Sequence, residues 1–183
     1  MKGRALERWG FALLSAVLLL AASAYEPAIC GSDRSSIERY IMETAGERLG
    51  DHVELLAVED VGPDRLAVFR RETKKPDDVW IVRFQRDENG NYADYYHSIR
   101  PMLDRGGRGV YTEYLNGLGG AGQVTYLAIW NECPELAEFR FHFGEGPEQV
   151  VKVSENPSLT VVAWPEGESS MSYDFYDAQG REL

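Results

Sequence analysis

The chain has 183 residues, of which 44% are hydrophobic, 11% aromatic and 27% charged, the usage of an ordinary globular domain and not of a disordered or fibrous chain. Nineteen Lys and Arg stand against thirty Asp and Glu, a formal net charge of −11. That sign argues against a nucleic-acid partner, because affinity for a phosphate backbone comes from cationic side chains that displace counterions.

Lys2, Arg4 and Arg8 precede an apolar run from Phe11 to Ala24 that only Ser15 and Ser23 interrupt, a positive n-region before an h-region. The run is 14 residues long, short of the roughly 20 that a helix needs to cross a bilayer. It closes on Ala22-Ser23-Ala24, small residues where a signal peptidase reads them. A signal peptide over 1–24 is therefore expected; the alternative is an uncleaved membrane anchor continuing through Tyr25 and Ala28. Either route delivers the body of the protein outside the cytosol, secreted or held on the extracytoplasmic face, with membrane contact only through that segment. Loss of 1–24 removes three cations and one anion, leaving 16 against 29 and a net charge of −13. Such a surface is soluble and attracts basic partners.

Cys30 and Cys133 are the only cysteines. In an oxidising compartment they can form one bridge, which would stabilise by about 4 kcal/mol through restriction of the unfolded chain; the alternative is two separate thiols. Lipidation at Cys30 is opposed by Ile29 and Pro27, which stand where a small and a Leu-like residue are needed.

Residues 25–34 are expected to be a linker and 35–183 a single α+β domain. Ser35-Ser36-Ile37-Glu38 reads as a capping box, and Ile37, Tyr40, Ile41, Thr44, Ala45 and Leu49 share one stripe of helical spacing before Gly50. This predicts an N-terminal amphipathic helix over 35–49 packed on a mostly antiparallel sheet. The period then becomes extended. Strands are expected over 53–61, 65–71, 79–86 and 92–99, with turns at Gly62-Pro63-Asp64 and Asp87-Glu88-Asn89-Gly90-Asn91. Trp80, Val82 and Phe84 alternate with Ile81 and Arg83, so one face is expected to be buried and aromatic and the other mixed. The stretch 100–109, rich in Gly, is the expected boundary between two small β-rich lobes. Further strands follow over 110–115, 123–130, 136–143, 149–153, 159–164 and 172–176, about ten in all. Leu56-Ala57-Val58 with Leu66 to Arg70, and Leu127-Ala128-Ile129 with Leu136 to Arg140, look alike; chance similarity of strand composition is favoured over duplication because the helix has no counterpart.

Several motifs dissolve when their context is read. Gly117-Leu118-Gly119-Gly120-Ala121-Gly122 matches the dinucleotide fingerprint, yet a strand pattern follows where the phosphate-binding helix should start. Asp87 to Asn91 opens like a calcium loop, but Tyr92 stands at its Gly position and Ser98 at its Glu position. His52, His97 and His142 form no metal-binding pair. No catalytic set, metal or cofactor is assigned. Tyr92, Tyr95, Tyr96, Tyr111 and Tyr114, with Tyr126, crowd the central segments and are the candidate binding surface, since tyrosine offers large amphipathic area at low entropy cost.

The leader, the short helix, the Trp80-Ile81-Val82-Arg83 strand and the closing Tyr173-Asp174-Phe175-Tyr176-Asp177-Ala178-Gln179-Gly180 segment resemble small exported proteins of unknown function from Gram-positive bacteria. The resemblance implies no activity and transfers no site. The expectation is an exported acidic module, non-catalytic, that binds an envelope polymer or other envelope component, a peptide or a protein. One alternative is a carboxylate-based extracellular hydrolase with its pair among Asp94, Glu113, Glu138 and Asp174. Another is an inhibitor or immunity-type partner of a basic protein.

Overall fold

The computed structural model describes residues 30–46, 52–72, 78–97, 101–116 and 124–183. The leader, residues 25–29 of the expected linker, the glycine run 117–122 and the side chains of residues 94–97 lie outside what is described.

Cys30 and Gly31 are buried, so this part of the expected linker belongs to the fold. Gly31 donates its N–H to the Tyr92 carbonyl at 3.1 Å. A Cβ there would come within 2.7 Å of the Phe84 ring, so only glycine permits the approach. Arg65 donates to the Gly31 and Ser32 carbonyls at 2.9 and 2.7 Å and fastens the same segment.

Helix α1 is Arg34–Ile41, shorter than the 35–49 expected. Its N-cap is Asp33, which exchanges hydrogen bonds with Ser36; the box therefore starts two residues before Ser35. An Asp carboxylate competes well with a Ser hydroxyl for this position. The chain continues as a π-helical turn, Met42–Gly46, which widens the spiral and takes Thr44 off the buried stripe; Met42 and Thr44 are exposed.

Eleven strands follow among the described residues: β1 His52–Val61, β2 Asp64–Glu72, β3 Val79–Arg86, β4 Tyr92–His97, β5 Leu103–Asp104, β6 Val110–Leu115, β7 Tyr126–Asn131, β8 Leu136–Phe143, β9 Gln149–Lys152, β10 Ser158–Ala163 and β11 Met171–Asp177. They form three antiparallel sheets in the orders β1-β2-β3-β4, β10-β7-β6-β5 and β11-β8-β9. The architecture is broadly α+β and mostly antiparallel β, with a single short helix among the described residues.

Alternation along each strand sorts the core into layers. Leu66, Val68, Val79 and Ile81 from the first sheet share a cluster with Tyr111, Leu115, Tyr126, Ala128 and Trp130 from the second. Leu127, Ile129 and Val162, from the opposite face of the second sheet, join Leu136, Phe139, Phe141, Phe143 and Phe175 of the third. The second sheet is thus buried on both faces, and every residue of β7 is buried. The other face of the first sheet supplies Leu55, Ala67, Phe69, Val82 and Phe84 to a cluster that includes Cys30, Ile37 and Ile41. The face of β3 expected to be mixed is therefore interior as well. Ile81 is fully buried, and Arg83 is 1% exposed.

The two similar sequence stretches fold differently. β1 and β2 pair as one hairpin, whereas β7 lies in the second sheet and β8 in the third. The Asp87 turn behaves as its composition predicts: Oδ1 of Asp87 accepts from the N–H groups of Asn89 and Asn91 at 2.9 and 2.8 Å, the Asx geometry of a polar hairpin.

Candidate functional site

The buried charges come first, because they separate structural groups from available ones. Arg83 Nη2 meets Asp64 Oδ2 at 2.8 Å with both side chains 1% exposed. The Tyr126 hydroxyl donates to the same oxygen at 2.9 Å, and Arg83 Nη1 donates to the Val124 carbonyl at 2.9 Å. This triad joins β2 and β3 to β7 across the first layer of core. Nearby, Arg70 Nη2 and the Trp130 indole N–H both reach Glu132 Oε1, at 2.5 and 2.8 Å. The first set is closed within the core; the second is part-buried, with the Arg70 and Glu132 side chains each 28% exposed.

The expected tyrosine surface is dispersed. Tyr92 packs in the cluster of the first sheet's outer face, with the Arg65 guanidinium 4.1 Å from its ring centre. Tyr111 is 3% exposed and faces the first sheet. Tyr114, three residues on, lies on the opposite face of β6, where its ring meets Trp164 edge-on at 5.9 Å. Tyr95 and Tyr96 have side chains outside the described set. Tyr92, Tyr111 and Tyr114 lie in three different layers and do not form one platform, because alternation sends neighbours on a strand to opposite faces.

Of the candidate carboxylates, Glu138 and Asp174 share one face of neighbouring strands, and Glu113 lies apart from them. Glu113 shares the face of Tyr111 and Leu115, toward the first sheet, and is 6% exposed. Glu138 and Asp174 lie on the outer face of the third sheet, where both Nε and Nη2 of Arg140 hold Glu138 at 3.0 and 2.7 Å. The Asp94 side chain is outside the described set. Neither cysteine is in a disulfide. Cys30 belongs to the outermost cluster of the first sheet and Cys133 to the core between the second and third sheets, so the bridged alternative is not the one the structure adopts. Burial pushes the Cys133 thiol up, which disfavours the reactive thiolate. Among the described residues no group of three or more His, Cys, Asp or Glu is placed to hold a metal ion.

What the structure does assemble is a cleft of about 480 Å³ between the β5–β6 loop and β11, within the size range of small-ligand and peptide pockets. Arg105, Arg108, Tyr114, Tyr173, Asp174 and Glu182 are among the residues that line it. The loop is tight: the Arg105 N–H donates to the Val110 carbonyl at 2.8 Å, and Gly106, Gly107 and Gly109 have φ of 73°, 66° and 79°, conformations that glycine adopts without strain. The Arg105 guanidinium is held in place by Tyr173 OH at 2.5 Å and Thr112 Oγ1 at 3.3 Å. Comparison with protein-family models, curated proteins and solved structures found no match.

Arg105, Arg108 and Tyr173 carried no expectation from sequence. The signal was Arg105-Gly106-Gly107-Arg108-Gly109, a glycine-rich loop bearing two guanidinium groups, which composition alone marks as a boundary. Burial, then the neighbouring Tyr173 hydroxyl, pushes the Tyr114 phenol up to about 12; burial and Asp64 do the same for Tyr126, also to about 12. Both exceed the ordinary 10.0 of an unfolded chain, so the folded state holds these protons more tightly. Their contribution to stability is present below pH 10.0 and is lost as pH rises through about 12. In an alkaline titration followed by tyrosinate absorbance, these two ionise last, and Tyr114→Phe and Tyr126→Phe each remove part of that late amplitude. A native titration completed near pH 10.0 would contradict the assignment.

Proposed function

We propose that the chain is an exported acidic binding module that holds an envelope component, a peptide or a protein and does not turn over a substrate. Support for export comes from the leader-like residues 1–24 and from the resemblance to small exported proteins. Among the described residues no helix is long and apolar enough to cross a membrane. In this reading Arg34–Ile41 is the amphipathic helix that seals the outer face of the first sheet, with Ile37 and Ile41 as its apolar side.

One observation carries the binding reading: the cleft gathers the Arg105 and Arg108 guanidinium groups, the Asp174 and Glu182 carboxylates and the Tyr114 and Tyr173 phenols, with Arg105 fixed by Tyr173 and Thr112. Recognition of polar ligands needs such groups fixed in a concave site. A glycoside-hydrolase pair would instead need two facing carboxylates roughly 5–9.5 Å apart. Glu138 is engaged by Arg140, and Glu113 lies on the far side of the second sheet.

The test is surface crosslinking. Cells exporting the full chain are treated with a membrane-impermeant crosslinker, and partner-bearing species are quantified. An adduct that falls about fivefold or more in Arg105→Ala/Arg108→Ala, in line with loss of charge-assisted hydrogen bonds, and persists in Glu138→Gln is expected. Confinement of the protein to the cytosol, or equal crosslinking by the arginine double variant and Glu138→Gln, overturns the proposal.

A further inference from the structure

We propose that β9, an outer strand of the third sheet, pairs with β9 of a second copy of this chain, antiparallel and centred on Val150, to form a weak two-fold dimer. The inference concerns the edge opposite the cleft and does not rest on the cleft's role.

The ladder decides which main-chain groups β9 offers. β9 ends the order β11-β8-β9, with Gln149 opposite Phe141 and Val151 opposite Phe139. The Val153 N–H donates to the Ala137 carbonyl at 2.9 Å, and along an antiparallel ladder the pairs that exchange hydrogen bonds alternate with pairs that do not. Gln149, Val151 and Val153 therefore turn their N–H and C=O groups to β8, while Glu148, Val150 and Lys152 turn theirs outward. Among the described residues, no backbone group bonds Val150 or Lys152 on that outer row. Pro147 is in phase with the inner row, so its missing N–H takes no donor from the outer one. An unpaired row of this kind is a template for another strand.

The side chains make the strand self-complementary in one register. Glu148 and Lys152 are exposed and Val150 is 49% exposed, and alternation puts all three on the outer face of the sheet. With Val150 opposite Val150, each Glu148 lies opposite Lys152 of the second copy, and these are the residues whose backbone groups are free to bond. On the inner face Val151 meets Gln149 and Val153 meets Pro147, which extends the apolar side where Val151 and Val153 already pack. Opposite charges and β-branched residues facing each other across strands stabilise the pairing. Sliding one copy by two residues leaves Lys152 opposite Val150 or Gly146; sliding it by four sets Lys152 against Lys152, or Glu148 against Glu148. A lysine on an edge strand commonly deters pairing. Here it deters the wrong registers and is answered by a carboxylate in the right one.

Neither charge is committed within its own chain. Lys152 lies opposite Glu138, but Arg140 holds that carboxylate at 3.0 and 2.7 Å. Glu148 acts on Arg140 only through its field. A strand of four residues buries far less than the roughly 1,600 Å² of a standard stable interface, and the net charge of −11 makes two copies repel. The expected Kd is therefore about 0.1–1 mM. Because the cleft lies at β11, on the opposite edge of the sheet, the dimer leaves both clefts open, and two linked sites gain avidity for a repeating envelope surface.

The experiment uses the full chain labelled with 15N. Raising its concentration to about 1 mM should shift the Val150 and Lys152 amide signals and slow translational diffusion toward that of a dimer. Glu148→Lys and Lys152→Glu, both at exposed positions, should each weaken association about fivefold or more by setting like charges opposite each other. Mixing the two variants should restore it, since each copy then supplies the charge that the other needs, and the double variant Glu148→Lys/Lys152→Glu should pair with itself as the original chain does. This swap separates β9 pairing from association through the leader, which is indifferent to both positions. A chain that stays monomeric at about 1 mM, self-association that ignores the single variants, or a mixture of the two that fails to associate overturns the proposal.

Discussion

Asp64→Ala is expected to lower the unfolding free energy by about 3–5 kcal/mol, because it removes the carboxylate that Arg83 Nη2 holds in the core. Arg83 is 1% exposed and spends Nη1 on the Val124 carbonyl and Nη2 on Asp64, so it has no route to water short of opening the layer between the first and second sheets. Tyr126 would lose its acceptor in the same step, an added cost for a buried hydroxyl. The loss is a large fraction of the roughly 5–15 kcal/mol by which a domain is stable, and it should appear in a denaturant titration as a lower midpoint at nearly constant slope. Replacing both partners, Asp64→Leu with Arg83→Met, should recover most of it, since apolar groups of similar volume often match or exceed a buried ion pair. Asp64 Oδ1 is buried without a hydrogen-bond partner, which lowers what the intact pair contributes and favours that recovery. A single-variant loss below about 1 kcal/mol, the scale of an exposed pair, would mean that water reaches this site.

Local signals and layered packing were unequally visible in the sequence. β3, β6 and β8 occupy the expected ranges 79–86, 110–115 and 136–143, because β-branched and aromatic residues bounded by turn residues report strand formation locally. The end of the helix was not visible: the apolar stripe continues through Thr44 and Ala45, and nothing in it announces the wider turn at Met42–Gly46. β5 is only two residues long and gives no periodic signal. The layer order is a tertiary property, yet one clue lay in plain sight. Tyr126 to Trp130 is apolar without alternation, the pattern of a strand covered on both faces, and it identifies β7 as the middle of the stack. Arg83, a charge in phase with Val79 and Ile81, likewise hinted at an interior ion pair. Its partner Asp64 looks in sequence like an ordinary turn residue after Gly62-Pro63.

The site was harder to see for a physical reason. Strand residues that cluster in sequence are dealt alternately to opposite faces, so Tyr111 and Tyr114 of β6 face different layers, and the cleft draws instead on a loop and a strand far apart in sequence, Arg105 and Tyr173 being separated by 68 positions. Neither segment carries a motif alone. Their meeting depends on the third sheet docking against the second, through the aromatic cluster on β8 and β11.

Phe139→Ala tests that docking directly, with an expected loss of about 3–5 kcal/mol. Phe139 is 1% exposed, lies opposite Phe175 on one neighbouring strand and Val151 on the other, and stacks on Phe141 at 5.1 Å, with Phe175 at 5.6 Å and Tyr173 at 5.7 Å. Truncation removes a whole ring from among side chains that the β-ladder holds in register, so the cavity can close only in part, and unclosed volume is what raises the cost above simple transfer. Phe139→Leu refills much of the space and should cost about 1.5 kcal/mol or less if the neighbours can repack. Because Tyr173 leans on Phe139 while bonding Arg105, the Ala variant should also loosen the cleft: amide exchange at β11 should accelerate before that at β7, whose burial on two faces does not depend on this ring. Exchange that quickens equally in both strands would place Phe139 in a core shared by the whole stack and leave the cleft's geometry independent of it.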